Sequence, residues 1–253
     1  MRVDVLLDGF GTRWIDVLDA AEAAEAGGLD GVWLNDHLNG LVQGAPHVLE
    51  CWTVLSALAG TVPRVVLGPL VLNVANRDAG TLAVMAATLQ EVSGGRLMLG
   101  IGAGGRSGPY GREQEALGRT VASDRERRQA VERTVETLRQ VWSGGKTGKG
   151  GFLRPTPLPP ILIAAFGPKM AELAGRVGDG ICVQANARLP ELAAVARDAH
   201  SEAGRDPRQF LLVATLGSVR DQTRQWAELD VDRLIVYVPP PFAEGIRQLA
   251  GTV

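Results

Sequence analysis

Asn35, Asp36 and His37 stand directly after a short apolar run, Gly31-Val-Trp-Leu34. A strand that ends on a carboxylate and an imidazole commits that end to chemistry instead of packing. Imidazole titrates close to neutrality, so His37 can give a proton to a bound molecule or take one from it. The same side chain also fits two other roles, a hydrogen-bond donor to a cofactor and a tie for its own loop. Asp36 beside it would set the ring's tautomer and charge. Metal chemistry suits the pair least, because no His-x-x-x-His or Glu-His cluster accompanies it. His47 lies in the loop leaving the same strand, where lining a pocket and standing in solvent are equally open. His200, between Asp198 and Glu202 on a helical stretch, reads as exposed.

Further segments could build a binding wall. Gly102-Ala-Gly-Gly105 follows another apolar run, and residues this small let a flat ring or a phosphate approach the backbone. A flexible loop is the alternative. No helix follows at once and no Lys-Ser or Lys-Thr pair is present, which excludes a nucleotide P-loop. Ala164-Ala-Phe-Gly-Pro-Lys-Met170 runs from a strand end into a helix start. Proline suits a first helical turn, whose free N–H groups attract an anion, although a plain helix start reads the same way. Asp8, Asn73, Asn76, Arg77 and Gln184 to Asn186 end other apolar runs. Cys182, between Ile181 and Val183, reads as a buried inert thiol. Ser56 and Ser93 have no base near them, so a hydrolytic triad finds no support.

These residues need a scaffold that brings strand ends together. Strands are predicted at 3–7, 31–34, 65–72, 97–101, 161–164, 180–183, 210–216 and 234–238. Helices are predicted at 14–26, 48–61, 81–92, 124–142, 169–177, 190–203, 221–229 and 242–249. Ser123 with Glu126 forms a capping box for the long helix, and Gly27-Gly28, Gly94-Gly95 and Gly144-Gly145 stop helical runs. Strict alternation implies parallel strands with right-handed crossovers, and eight units in this length predict a single-domain (β/α)₈ TIM barrel over 1–253. A doubly wound open sheet is the runner-up. Residues 102–122 and 144–160 break the rhythm and read as lids or cofactor walls. The basic cluster Arg125, Arg127 and Arg128 alternates with acids and reads as a solvated helix face.

Composition bears on the partners, of which a small-molecule substrate is the one expected. The chain has 253 residues, 45% apolar, with 26 Lys and Arg against 28 Asp and Glu, a formal charge of −2. That balance gives no surface for nucleic acid or for a membrane. Two widely separated cysteines give no disulfide framework, and charges interrupt the first apolar run. Both point to a cytoplasmic protein.

Together the residues resemble the luciferase-like monooxygenase superfamily, in particular its coenzyme F420-dependent oxidoreductase branch. The matching segments are 31–37, 50–59, 64–68, 82–89, 93–104, 161–170 and 174–180, in order along nearly the whole chain. The resemblance implies a luciferase-like TIM barrel with shortened insertions, holding a deazaflavin at the C-terminal ends of its strands. It places Asp36 and His37 beside the redox-active ring, as catalytic and cofactor-binding residues. It implies a non-proline cis peptide at Leu70–Val71, and a cofactor wall of Asn73, Gly104 and Gly105. Ala164, Ala165, Phe166, Gly167 and Pro168 fall where relatives hold the cofactor's phosphate and side chain. Two departures count against a sugar-phosphate dehydrogenase. Gly105 stands where those enzymes carry Glu, and no aromatic occurs among Leu38, Asn39, Gly40 and Leu41. The implied activity is hydride transfer between coenzyme F420 and an organic substrate, in a homodimer. An FMN-dependent two-component monooxygenase of the same fold and a non-catalytic flavin-binding barrel are the alternatives.

Overall fold

The computed structural model describes residues 1–145, 150–217 and 231–251. Nine parallel strand segments form one sheet: β1 (Arg2–Leu7), β2 (Gly31–Leu34), β3 (Val66–Pro69), β4 (Leu72–Asn73), β5 (Leu99–Gly102), β6 (Ile161–Ala164), β7 (Gly180–Gln184), β8 (Leu211–Leu216) and β9 (Arg233–Val238). Their order, β3-β2-β1-β9-β8-β7-β6-β5-β4, sets the first strand beside the last. The two edges meet where the Leu67 N–H donates to the Arg96 carbonyl and the Met98 N–H to the Leu67 carbonyl, both at 3.0 Å. The sheet is therefore a nearly closed barrel, as the alternation of elements predicts.

One predicted strand is two segments. Residues 65–72 read as a single run, but β3 pairs with β2 while β4 pairs with β5. Between them lies the expected cis peptide, Leu70–Val71. The chain changes partner at this seam, which a hydrophobic run alone does not record.

The helices are α1 (Trp14–Ala26), α2 (Cys51–Thr61), α3 (Ala79–Val92), α4 (Gly108–Ala116), α5 (Asp124–Trp142), α6 (Pro168–Val177), α7 (Leu189–Glu202) and α8 (Phe242–Ala250), and all but α4 cover the outside of the barrel. The capping box of Ser123 and Glu126 opens α5 as expected. α4 falls inside residues 102–122, predicted to be irregular. Its buried residues are Gly111, Glu113 and Gln114, so it shows no apolar periodicity to read. The predicted helix at 221–229 lies outside the described residues.

Strand alternation divides the core. Val3, Val5 and Leu7 of β1 face the helices, while Leu6 joins Trp33, Met98, Leu162, Cys182, Val213 and Ile235 inside the barrel. The Cys182 thiol is buried there, as expected, and burial pushes it up to about 12. The barrel interior also holds a buried ion pair. Arg233 donates to Asp4 at 2.7 and 2.6 Å, and the Trp33 indole N–H donates to the same carboxylate at 2.8 Å. The indole lies against Gly68, where any Cβ would overlap the ring.

A buried pair resists loss of one partner more than loss of both. Asp4→Leu leaves Arg233 uncompensated and is expected to cost about 3–5 kcal/mol in urea unfolding. Adding Arg233→Met should recover most of that loss. Equal destabilisation by the single and double variants would show that shape, not charge, holds this layer.

Candidate active site

The C-terminal strand ends converge at one mouth of the barrel. His37 follows β2 and is half-buried. Its Nδ1 lies 3.2 Å from Glu113 Oε2 of α4. The other oxygen, Oε1, accepts the backbone N–H groups of Leu38 at 2.6 Å and Asn39 at 3.0 Å. Burial alone would raise the Glu113 carboxyl, but the hydrogen bonds from His37, Leu38 and Asn39 outweigh it and hold the group below its usual range. Tyr110 of α4 stacks on the imidazole with ring centroids 5.6 Å apart, and Phe10 packs against it at 5.3 Å.

Asp36 does not serve His37 as expected. Its buried carboxylate accepts from Asn73 N at 2.9 Å, Asn76 Nδ2 at 3.2 Å, and Arg77 Nη1 and Nη2 at 2.9 and 2.8 Å. Successive residues of an extended chain point to opposite sides, so adjacency in sequence separates these two side chains. Asp36 instead locks the turn after β4. Arg77 also donates to Glu50, the N-cap of α2.

α4 is pinned at a second point. Gln114 Nε2 donates to Asn76 Oδ1 at 3.0 Å, and Arg119 Nη1 reaches the same oxygen at 2.7 Å. Residues 102–122 thus carry a helix, α4, held at the mouth by polar contacts. The glycine segment runs beside it. Gly104 lies at φ +66°, a left-handed conformation that favours glycine, with Asn73 against it, and Gly105 lies against Tyr110. Arg127 is not part of a solvated face. It turns inward, donating to Ala103 O at 3.1 Å and also to Gly104 O, and so backs the glycine wall.

The remaining expected residues take their places around the same rim. Leu70, Val71 and Ala164 pack on the interior cluster, and Ala165 is buried. Phe166 is 72% exposed. Gly167 caps α6 without a side-chain hydrogen bond and Pro168, which has no N–H, opens the helix, while the Met170 and Ala171 N–H groups both donate to the Gly167 carbonyl at 3.1 Å. Asp8, after β1, accepts the Tyr237 hydroxyl at 2.6 Å and the Phe10 N–H at 3.0 Å. Burial, then Asp8, raises the Tyr237 phenol above its usual value.

Two histidines stand outside this group. His47 Nε2 is 3.1 Å from the Thr12 carbonyl in an exposed loop. His200 is buried, contrary to expectation, with Nδ1 3.0 Å from the Gly175 carbonyl of α6. No cluster that could hold a metal ion occurs among the described residues, and no helix among them is long and apolar enough to cross a membrane.

Glu113, Tyr110 and Tyr237 went unread in the sequence. Glu113 is 76 positions from His37 and left no local signal. Tyr237 did leave one, since it alternates with Ile235 on the inward face of a predicted strand.

Comparisons with known proteins agree with this architecture. A family model described as luciferase-like monooxygenase matches residues 3–251. The F420-dependent hydroxymycolic acid dehydrogenase of Mycobacterium tuberculosis is 33% identical over 202 residues, 74% of this chain and 54% of that protein. The phthiodiolone/phenolphthiodiolone dimycocerosates ketoreductase of Mycobacterium kansasii is 33% identical over 252 residues, 85% of this chain and 66% of that protein. The chain therefore spans between about half and two thirds of the length of these relatives. Among solved structures, an F420-dependent secondary alcohol dehydrogenase in complex with an F420-acetone adduct superposes with a TM-score of 0.85 at 18% identity, covering 100% of this chain and 98% of that one. The coenzyme F420 dependent tetrahydromethanopterin reductase of Methanopyrus kandleri gives 0.74 at 16% identity, with the same coverage of 100% and 98%. At those identities the likeness shows the fold.

The depressed Glu113 carboxyl gives a pH dependence with a definite sign. A group whose folded value lies below its unfolded one, about 4.3 for Glu, stabilises above that pH and stops doing so as pH falls through the folded value. Protection of the Leu38 and Asn39 amides from hydrogen exchange is expected to fall over that acid range. Glu113→Gln, which cannot titrate, should remove the fall; an unchanged profile would assign it to other carboxylates.

Proposed function

The chain belongs to the luciferase-like monooxygenase family, the premise from which we propose that it is an oxidoreductase transferring a hydride between coenzyme F420, a deazaflavin, and an organic substrate. The observation that carries this reading is the mouth itself. An imidazole stands there with a wall of small residues and the N-terminus of α6, whose cap residue is Gly167. The small residues suit a flat ring, and the positive end of the α6 dipole suits an anionic tail.

Leu70, Val71, Asn73, Gly104 and Gly105 would lie along the ring, with Asp36 holding the turn of Asn73 in place. Ala164, Ala165, Phe166, Gly167 and Pro168 would hold the phosphate-bearing side. When bound, the deazaflavin supplies the hydride donor or acceptor. His37 exchanges the accompanying proton, and the barrel orients the reactants and keeps water from them. The names of the relatives, a hydroxymycolic acid dehydrogenase and a ketoreductase, support a hydroxyl–carbonyl pair as the reacting group. Gly105, in the place of an acid, argues against a sugar phosphate. The reading includes a small-molecule substrate, no nucleic-acid partner, a homodimer and a cytoplasmic location. Two buried, unpaired cysteines support the last of these.

An FMN-dependent two-component monooxygenase is the second reading, since FMN also offers a flat ring and a phosphate. Fluorescence titration with coenzyme F420 and with FMN separates the two. The deazaflavin is expected to bind more tightly; tight FMN binding with none for the deazaflavin would overturn the proposal. His37→Ala is expected to keep cofactor binding and lose about 10²–10⁴-fold in turnover. Full redox activity in that variant would remove His37 from the chemistry.

A further inference from the structure

We infer that Glu113 is the positioning residue of the site, fixing His37 with its proton on Nδ1 and leaving Nε2 as the atom that exchanges a proton at the mouth. The inference deepens the oxidoreductase reading and rests on it for what Nε2 meets. The tautomer itself rests on geometry alone.

An ionised carboxylate only accepts hydrogen bonds. Glu113 Oε1 already accepts two backbone N–H groups, from Leu38 and Asn39 at 2.6 and 3.0 Å. Oε2 has the ring nitrogen Nδ1 as its partner at 3.2 Å. With a carboxylate on one side of that contact, the hydrogen must come from the ring. The Glu113 side chain is 4% exposed and that of His37 19%, so the carboxylate is sealed while the ring keeps an open edge. Phe10 and Tyr110 pack against the imidazole and resist rotation that would exchange the two nitrogens.

Of the charged side chains around the ring, Glu113 is the one bonded to it among the described residues. Tyr110, also from α4, meets it as a ring. Asp36, next in sequence, is neutralised by Arg77. Asp8, beyond Phe10, is bonded to Tyr237. A proton arriving at Nε2 makes an imidazolium whose other N–H rests on a carboxylate, so the new charge is met where it forms. When the proton leaves again from Nε2, the ring returns to the same tautomer. The arrangement is that of a carboxylate orienting a general base without taking the proton itself.

The test uses the full chain with ¹⁵N-labelled histidine, the His37 signals being identified by their loss in His37→Ala. At alkaline pH, where the ring is neutral, the wild-type protein is expected to carry its proton on Nδ1. In Glu113→Gln the amide oxygen can keep the Leu38 and Asn39 bonds, which turns the NH₂ toward Nδ1 and moves the ring proton to Nε2. kcat should then fall by about 10²–10⁴-fold with little change in KM. Glu113→Asp keeps the charge and should restore the Nδ1–H tautomer and part of kcat; it also serves if Glu113→Gln does not fold. A wild-type ring protonated on Nε2, or Glu113→Gln with unchanged tautomer and kcat, would overturn the inference. Should the protein bind no deazaflavin, the oxidoreductase reading falls, and the nitrogen spectra still decide the role of Glu113.

Discussion

The Trp33 indole lies inside the barrel, bonded to Asp4 and accommodated by the missing side chain of Gly68. Because side chains alternate along a strand, turning this one inward fixes the face of every residue in β2. Leu34 is thereby committed to the helical layer, and the chain reaches Asp36 and His37 in one register. The Asp4–Arg233 pair does the same for β1 and β9, the first and last strands. Further up the same ladder, that alignment brings Asp8 to Tyr237 at the mouth. A charged pair in a barrel interior is costly to desolvate, and here its hydrogen-bonding capacity is used on side chains from three strands. Its return is registration: the floor decides what the rim presents.

Above that floor the site divides labour between two carboxylates. Asp36 is spent on Asn73, Asn76 and Arg77 and organises the turn after β4. Glu113 reaches the β2 end from α4 and organises the imidazole. Asn76 links the halves, receiving Gln114 and Arg119 from the α4 side while donating to Asp36. The glycine segment, the turn and the histidine are therefore one hydrogen-bonded unit spread over three connections. A change in any of the three reaches the others through bonds of ordinary length.

How much of this was legible depended on whether a residue's partner was near it in sequence. Strand and helix periods give the barrel, because each element reports its own buried face. Ser123 and Glu126, three apart, announce the start of α5. The position of His37 at a strand end marks the mouth, and the resemblance of its flanking segments supplied the cis peptide at Leu70–Val71. α4 stayed hidden because the residues it buries are polar or glycine, the opposite of the pattern that betrays a helix. Asp36 looked like the partner of His37 because it is adjacent, whereas Glu113 fills that role from a distant helix. His200 looked solvated because Asp198 and Glu202 are near it in sequence. On the helix those positions face elsewhere, and its own side chain meets α6.

The way α4 is seated sets its response to temperature. Heat capacity rises when apolar surface meets water and falls slightly when polar surface does. Glu113, Gln114 and Gly111 are what this helix buries, so lifting it would expose little hydrocarbon. Its opening therefore carries a small heat-capacity change and a shallow dependence on urea, while the barrel beneath, closed on Leu, Ile, Val and Trp33, carries the large ones. The wall over the imidazole and the body that supports it thus answer to different variables, acidity for the first and heat for the second.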